Sequence, residues 1–336
     1  MNKKYLVSAL GNAIVDTLIL IEDSFLLENS ITKGSMTLID SNIANKLSNL
    51  EYQQISSGGS VCNTVATISL LGKPCSFIGK VANDKFGQIF NDNLKQVNCD
   101  FHLQYSDIPD STSKSFILVS KNDGERTMMT YLGESSTIDK IDDDDILRNS
   151  EIIYVEGYLW DKKETINSLT NFINNASKKN NLIAFTLSDS FCVSRHKNDF
   201  LNLIKDVDIL FANEDEIKIL SDNDKSLLEI QKFNEIFTLN PNIKLIITRS
   251  ENGALIATKD GLKEVKTEVI NDITDSTGAG DAFASGFLFG ISHGLNLEIC
   301  AKIGNILAAE IIKKLGARFN NDEINKIKTK LCQFGI

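Results

Sequence analysis

Proline is scarce in this 336-residue chain, with three in all, and histidine is equally rare. The six cysteines (Cys62, Cys75, Cys99, Cys192, Cys300 and Cys332) include no C-x-x-C pair and do not gather with the histidines into a metal-ligand cluster. That usage fits a reduced, cytoplasmic protein. No segment approaches the roughly 20 apolar residues of a membrane span. Lys3-Lys4 before the apolar run to Leu10 imitates a signal peptide, but Gly11-Asn12 interrupts the run and Asp16 follows, whereas a secretory core needs about 7 to 15 unbroken apolar residues. Two phosphate-binding fingerprints are also missing. There is no Gly, four residues, Gly-Lys-Ser/Thr, and the stretch from Gly278 has Phe283 where a dinucleotide fingerprint needs its third glycine. Positive charge is in deficit, with a formal net charge of −10, which argues against a broad nucleic-acid surface and for a small partner.

What is present is an ordinary globular balance, 42% hydrophobic and 24% charged, long enough for one large α/β domain with an appendage. The stretch Asp275-Ser276-Thr277-Gly278-Ala279-Gly280-Asp281 organises the rest. Its small residues leave backbone N–H groups bare, and Phe283, Phe287, Leu288 and Ile291 follow at helical spacing. Free N–H donors at a helix N-terminus favour a phosphate or a developing oxyanion. A carboxylate beside them, Asp281, is placed to take the proton of an attacking hydroxyl. The bland alternative is a capping aspartate after a tight turn.

Upstream, Tyr5 to Leu10 and Ile14 to Ile21 read as strands around the bend Gly11-Asn12. Asp16 lies among Ile14, Val15, Leu18 and Ile19, either accepting bonds from substrate hydroxyls or facing water at a strand end. Gly58-Gly59 opens a helix on which Asn63, one turn in, offers a donor and an acceptor to a diol; the alternative is a plain turn with a solvated Asn. The alternation of strands and helices that follows predicts a doubly wound, mostly parallel sheet. It breaks at Lys114 to Ser120 and Arg126 to Leu132, two β-like runs around Lys121-Asn122-Asp123-Gly124. This hairpin, with the second strand and the run at Met36, predicts a small sheet standing off the core. The division expected is a core of residues 1–13, 41–110 and 135–336, with 14–40 and 111–134 in the small sheet. Asn213-Glu214-Asp215-Glu216 follows a strand end, where oxygen ligands suit Mg²⁺ held mostly through water, or where an acidic first turn is simply capped.

The terminal stretch resembles the C-terminal signature of the ribokinase-like (PfkB) family of carbohydrate and nucleoside kinases, commonly Asp-Thr-Thr-Gly-Ala-Gly-Asp, with Ser276 the one departure. The resemblance runs along nearly the whole chain. It implies a core with a β-lid over the substrate, the anion hole at Gly278, Ala279 and Gly280, and Asp281 as catalytic base. It implies substrate contacts at Asn12, Asp16, Gly58, Gly59 and Asn63, and nucleotide contacts at Asn213, Thr248, Ser250, Gly253 and Asn305. Ser250 stands where the family shows the first glycine of Thr-x-Gly-x-x-Gly. Mg²⁺ would be reached by Glu216 and Asn213, and K⁺ by the backbone of Asp275 and Thr277 with the loop after Leu315. The activity implied is transfer of the γ-phosphoryl group of ATP to a primary hydroxyl. Gly11-Asn12-Ala13-Ile14-Val15-Asp16 is similar to the Gly-Asn-Pro-Leu-x-Asp opening of adenosine kinases, and Gly58-Gly59-Ser60 lacks the lysine of Gly-Gly-Lys relatives. Adenosine is therefore the expected acceptor, with a neutral sugar such as ribose or fructose as the alternative and an inactive ligand-binding relative as a third. The protein is expected to act in the cytoplasm as a monomer or homodimer. Arg126 either touches phosphate or pairs with a nearby acid at the surface.

Overall fold

Apolar runs without alternation belong in the middle of a covered sheet. In the computed structural model, which describes residues 3–138, 141, 143–222 and 227–336, the first such run is β1 (Tyr5–Leu10), buried at every position. The chain then leaves for a second sheet with β2 (Ile14–Ile21), α1 (Asp23–Glu28), β3 (Met36–Leu38), α2 (Ser41–Leu47) and β4 (Gln54–Gly58). It returns through α3 (Ser60–Leu70), β5 (Cys75–Ala82), α4 (Lys85–Gln96) and β6 (Cys99–Ser106). A second excursion makes the predicted hairpin, β7 (Ser113–Ser120) and β8 (Arg126–Tyr131). From there the alternation is regular: α5 (Asp143–Asn149), β9 (Ser150–Glu156), α6 (Lys163–Lys178), β10 (Leu182–Thr186), α7 (Ser190–Leu203), β11 (Ile209–Asn213), α8 (Glu214–Leu220), α9 (Asn234–Leu239) and β12 (Lys244–Thr248). An antiparallel pair, β13 (Ala254–Thr258) and β14 (Gly261–Val265), closes one edge, and α10 (Ala279–Ser292), α11 (Leu297–Ile311) and α12 (Asn321–Leu331) complete the chain.

The large sheet has nine strands in the order β14-β13-β12-β11-β10-β9-β1-β5-β6, parallel from β12 to β6. This is the doubly wound, mostly parallel sheet expected. Its strand order reverses between β1 and β9, and open α/β sheets form their ligand crevice at that point, beyond the carboxyl ends of the strands. Each face has its own core. Val61, Val65, Phe77, Phe90, Phe283 and Phe287 lie on the α3 and α10 side. On the other, the single tryptophan, Trp160, sets its ring edge-on against Phe185 and Phe200, with centroids 5.4 and 5.6 Å away.

The small sheet runs β3-β8-β7-β2-β4. On β2 alternate residues are buried, so Ile19 and Ile21 pack inward with Phe116, Leu118 and Met129 and Val15 joins the core of the large sheet, while Asp16 points to the other face. One boundary needs correction. Residues 41–110 were assigned wholly to the core, yet β4 pairs antiparallel with β2, and α2 packs Ala44 and Leu47 under the small sheet. The polar sequence Gln54-Ile55-Ser56-Ser57-Gly58 carries no strand pattern of its own; pairing with β2 makes it one. Helix α7 starts at Ser190, where Asp189 caps it by accepting from the Cys192 N–H at 2.6 Å. Among the described residues no helix is long and apolar enough to cross a membrane.

Candidate active site

The crevice between β1 and β9 is lined from both strand ends. Glu156, last in β9 and fully buried, accepts from the Asn12 N–H (2.7 Å), Asn12 Nδ2 (2.9 Å) and the Val61 N–H (3.3 Å). Burial raises its carboxyl to about 7. Asn12 is only 2% exposed, and its Oδ1 accepts from Ser135 Oγ at 2.9 Å. Both ends of its amide are therefore occupied inside the protein. Asn12, expected at the substrate, ties β1 to β9 and to the segment after β8.

Asp16 is different. No donor among the described residues reaches its carboxylate, which lies against Gly58 so closely that a Cβ there would sit 2.2 Å from Asp16 Oδ2. Burial raises Asp16 to about 7, eased by the positive charge of Arg318 and worsened by Asp281. Gly59 follows, and Asn63 lines the crevice with Oδ1 buried and without a partner. Two acceptors without donors thus flank Gly58-Gly59, and a buried acceptor in that state is costly unless a ligand supplies a hydrogen.

Asp281 stands in the first turn of α10, opposite Asn63. Its Oδ1 accepts from Ser60 Oγ (2.6 Å), its Oδ2 from Asn63 Nδ2 (2.9 Å), and its carbonyl from Thr64 Oγ1 (3.2 Å). Burial raises the carboxyl to about 6, with the Ser60 and Asn63 bonds pulling the other way. Gly278 caps α10 in the left-handed region (φ 78°), and a Cβ on it would come within 2.5 Å of Ala317. The Ala279 N–H is taken by the Ser276 carbonyl at 3.2 Å, while the N–H groups of Gly278, Gly280 and Asp281 meet no acceptor among the described residues.

A groove leads from Asp281 past Ser276 to Asn213, Glu216 and Thr248. Asn213 and Glu216 form a reciprocal capping box, with Glu216 accepting from the Asn213 N–H (3.0 Å) and Nδ2 (2.6 Å). Burial raises Glu216 to about 7. This single buried carboxylate suits a cation that keeps its waters, as Mg²⁺ does, and no group of three metal-ligating side chains occurs among the described residues. Thr248, Ser250 and Gly253 line an adjoining cavity with Ile270, Ile273 and Phe283, and Ser250 takes the left-handed conformation (φ 48°) that the glycine it replaces would supply. Asn305 also lines that cavity, but its Nδ2 binds the carbonyls of Val265 and Lys266 at 3.1 and 3.2 Å, so its amide nitrogen anchors the end of β14.

Asp275 binds neither as a surface acid nor toward the groove. Its carboxylate accepts from Arg126 on β8, from the Gly316 N–H at 2.8 Å and, with Oδ1, from the Thr277 N–H at 3.0 Å. The acid paired with Arg126 is therefore distant in sequence and buried, and Arg126 Nη2 is left buried without a partner. Five contributors escaped the sequence reading: Ser60 in this role, Thr64, Ser135, Glu156 and Arg318. Only Glu156 left a trace, as an acid directly after the apolar run Ile152-Ile153-Tyr154-Val155.

The model of the pfkB family carbohydrate kinases matches residues 34–324. A probable sugar kinase from Rhizobium etli is 34% identical in a solved structure, covering 99% of both chains with a TM-score of 0.84. The adenosine kinase of Sinorhizobium meliloti is likewise 34% identical, over 97% of this chain and 99% of its own, with a TM-score of 0.83. The adenosine kinase of Saccharomyces cerevisiae is 23% identical across 95% of this chain and 98% of its own. With the family model spanning most of the sequence and the site built on its signature, the chain belongs to the PfkB family, as a sugar or nucleoside kinase that phosphorylates a hydroxyl group.

Proposed function

We propose that the chain transfers the γ-phosphoryl group of ATP to the 5′-hydroxyl of a nucleoside, adenosine, giving AMP and ADP. The observation that carries the acceptor side is the pair of acceptors without donors, Asp16 and Asn63 Oδ1, set around Gly58-Gly59. A vicinal ribose diol supplies the two O–H donors they lack. Asp281 takes the proton of the attacking hydroxyl as its oxygen bonds to phosphorus and the bond to the ADP oxygen breaks. Ser60 and Asn63 orient that carboxylate, and the open N–H groups of Gly280 and Asp281 meet the charge growing on the phosphoryl oxygens. Mg²⁺ would be reached from Glu216 and Asn213 through water and would neutralise charge between the phosphates. K⁺ would lie against the backbone of Asp275 and Thr277, near Gly316.

Ser60 favours the nucleoside. Where Gly-Gly-Lys relatives have a cation, this side chain serves the base instead. Asn12, turned inward, no longer discriminates. A neutral sugar remains the second reading, because a free sugar also offers a diol and one 34% identical relative is a probable sugar kinase. The test is ADP release with ATP, Mg²⁺ and K⁺, comparing adenosine, ribose and fructose, with Asp281→Asn as the blank. Adenosine is expected to give the highest kcat/KM. Preference for ribose or fructose would overturn the nucleoside reading and keep the chemistry.

A further inference from the structure

Arg318 belongs to no motif of the family signature. It sits two residues beyond Gly316, half-buried, with Nε donating to the Ser57 carbonyl and Nη2 to Ser57 Oγ and Cys62 Sγ, each at 3.1 Å. All three acceptors are neutral. A guanidinium held out of bulk water without a counter-ion is unfavourable unless its charge acts on something nearby. Its neighbour Ala317 packs against Gly278, so one short turn touches both the anion-binding loop and the start of α3.

We propose that Arg318 is a positioning residue of the transfer step: it straps the turn after Gly316 onto Ser57 and Cys62, and its uncompensated charge offsets the repulsion between the carboxylates of Asp16 and Asp281. The titratable groups that face this region are Asp16 from β2, Cys62 from α3, Tyr154 and Glu156 from β9 and Asp281 from α10. Burial pushes the Cys62 thiol up to about 11 and the Tyr154 phenol higher than usual, so neither is charged near neutrality. The positive charge felt by both Asp16 and Asp281 is that of Arg318, and the transferring phosphoryl group brings further negative charge beside them. Planar geometry explains why arginine fills the place: Nε and Nη2 grip Ser57 in parallel, which a lysine cannot do.

The inference rests on the kinase reading and on Asp281 as base, and not on which acceptor is used. The test is a carbon NMR titration of the Asp281 carboxyl in aspartate-labelled protein, the resonance assigned by its loss in Asp281→Asn. Parent, Arg318→Gln, Arg318→Met and Arg318→Lys are compared without acceptor. Both charge-free variants are expected to raise the midpoint by about one pH unit, and Arg318→Lys to leave it near the parent value. In turnover the acid limb of kcat/KM should move up with the midpoint, costing about fivefold at pH 6 and about tenfold at pH 5, while Arg318→Lys shows mainly a higher acceptor KM. Charge-free variants that titrate like the parent, or a lysine variant shifted as far as the glutamine one, would overturn the proposal. Because the titration needs no acceptor, its failure is separate from a failure of the adenosine reading, which the ADP assay decides.

Discussion

At the scale of single residues, the site holds four carboxyls above their ordinary range: Asp281 at about 6, and Asp16, Glu156 and Glu216 at about 7, all chiefly through burial. As the proposed base Asp281 must be ionised to act, so kcat/KM should fall tenfold per pH unit below about 6, and a rate that stays flat to pH 5 would remove Asp281 as the base. Stability should run the other way. A carboxyl whose folded value is raised favours the fold below its unfolded value, near 3.8 for Asp281, and that contribution is lost as pH rises through the folded value, about 6. Asp281→Asn should therefore melt higher than the parent at pH 8, by on the order of a few degrees, and the gain should vanish near pH 4. Equal melting temperatures at pH 8 would show that the charge is not felt by the fold. Ser250 gives a second prediction. Its left-handed backbone costs a side-chain-bearing residue about 1 kcal/mol or more, so Ser250→Gly should leave turnover intact and match or exceed the parent in a denaturant melt.

At the scale of elements, the signature was legible because it is contiguous: a turn, a helix end and an acid within seven residues. So was the pairing of Gly58-Gly59 with Asn63, which occupies one helix start. What escaped detection depends on elements meeting across the fold. Glu156 gains meaning only where β9 meets β1, Ser60 only where α3 meets α10, and Arg318 only where the turn after α11 reaches both. The partners of Asn12 are hidden for the same reason, since nothing local shows that Glu156 and Ser135 take its amide. The packing of α10 on α11 is likewise invisible in either helix alone. A Cβ on Gly304 would lie 2.8 Å from the Phe283 carbonyl, two residues beyond Asp281. Gly304→Ala should push α10 away, costing on the order of 1–3 kcal/mol in thermal or denaturant melts and lowering kcat more than it raises KM for ATP. Unchanged kcat with unchanged melting would show that the helices can separate freely.

At the scale of the molecule, four chain crossings tether the small sheet to the large one, and the buried Arg126–Asp275 pair joins the two near the phosphoryl site. A cover pinned there would exclude water from the groove. Arg126→Met should raise ADP release in the absence of any acceptor by several-fold, and a rate equal to the parent would show that the pair does not govern closure. The same large scale settles an optical property. Trp160, the only indole, is enclosed by Phe185 and Phe200 on the face of the sheet away from α3 and α10. Its emission should be that of a ring in a dry, rigid setting and should hold steady through saturation with nucleotide. It should shift to the red only when the layer beneath α6 and α7 comes apart, giving a fluorescence clock for unfolding that ligand binding does not disturb.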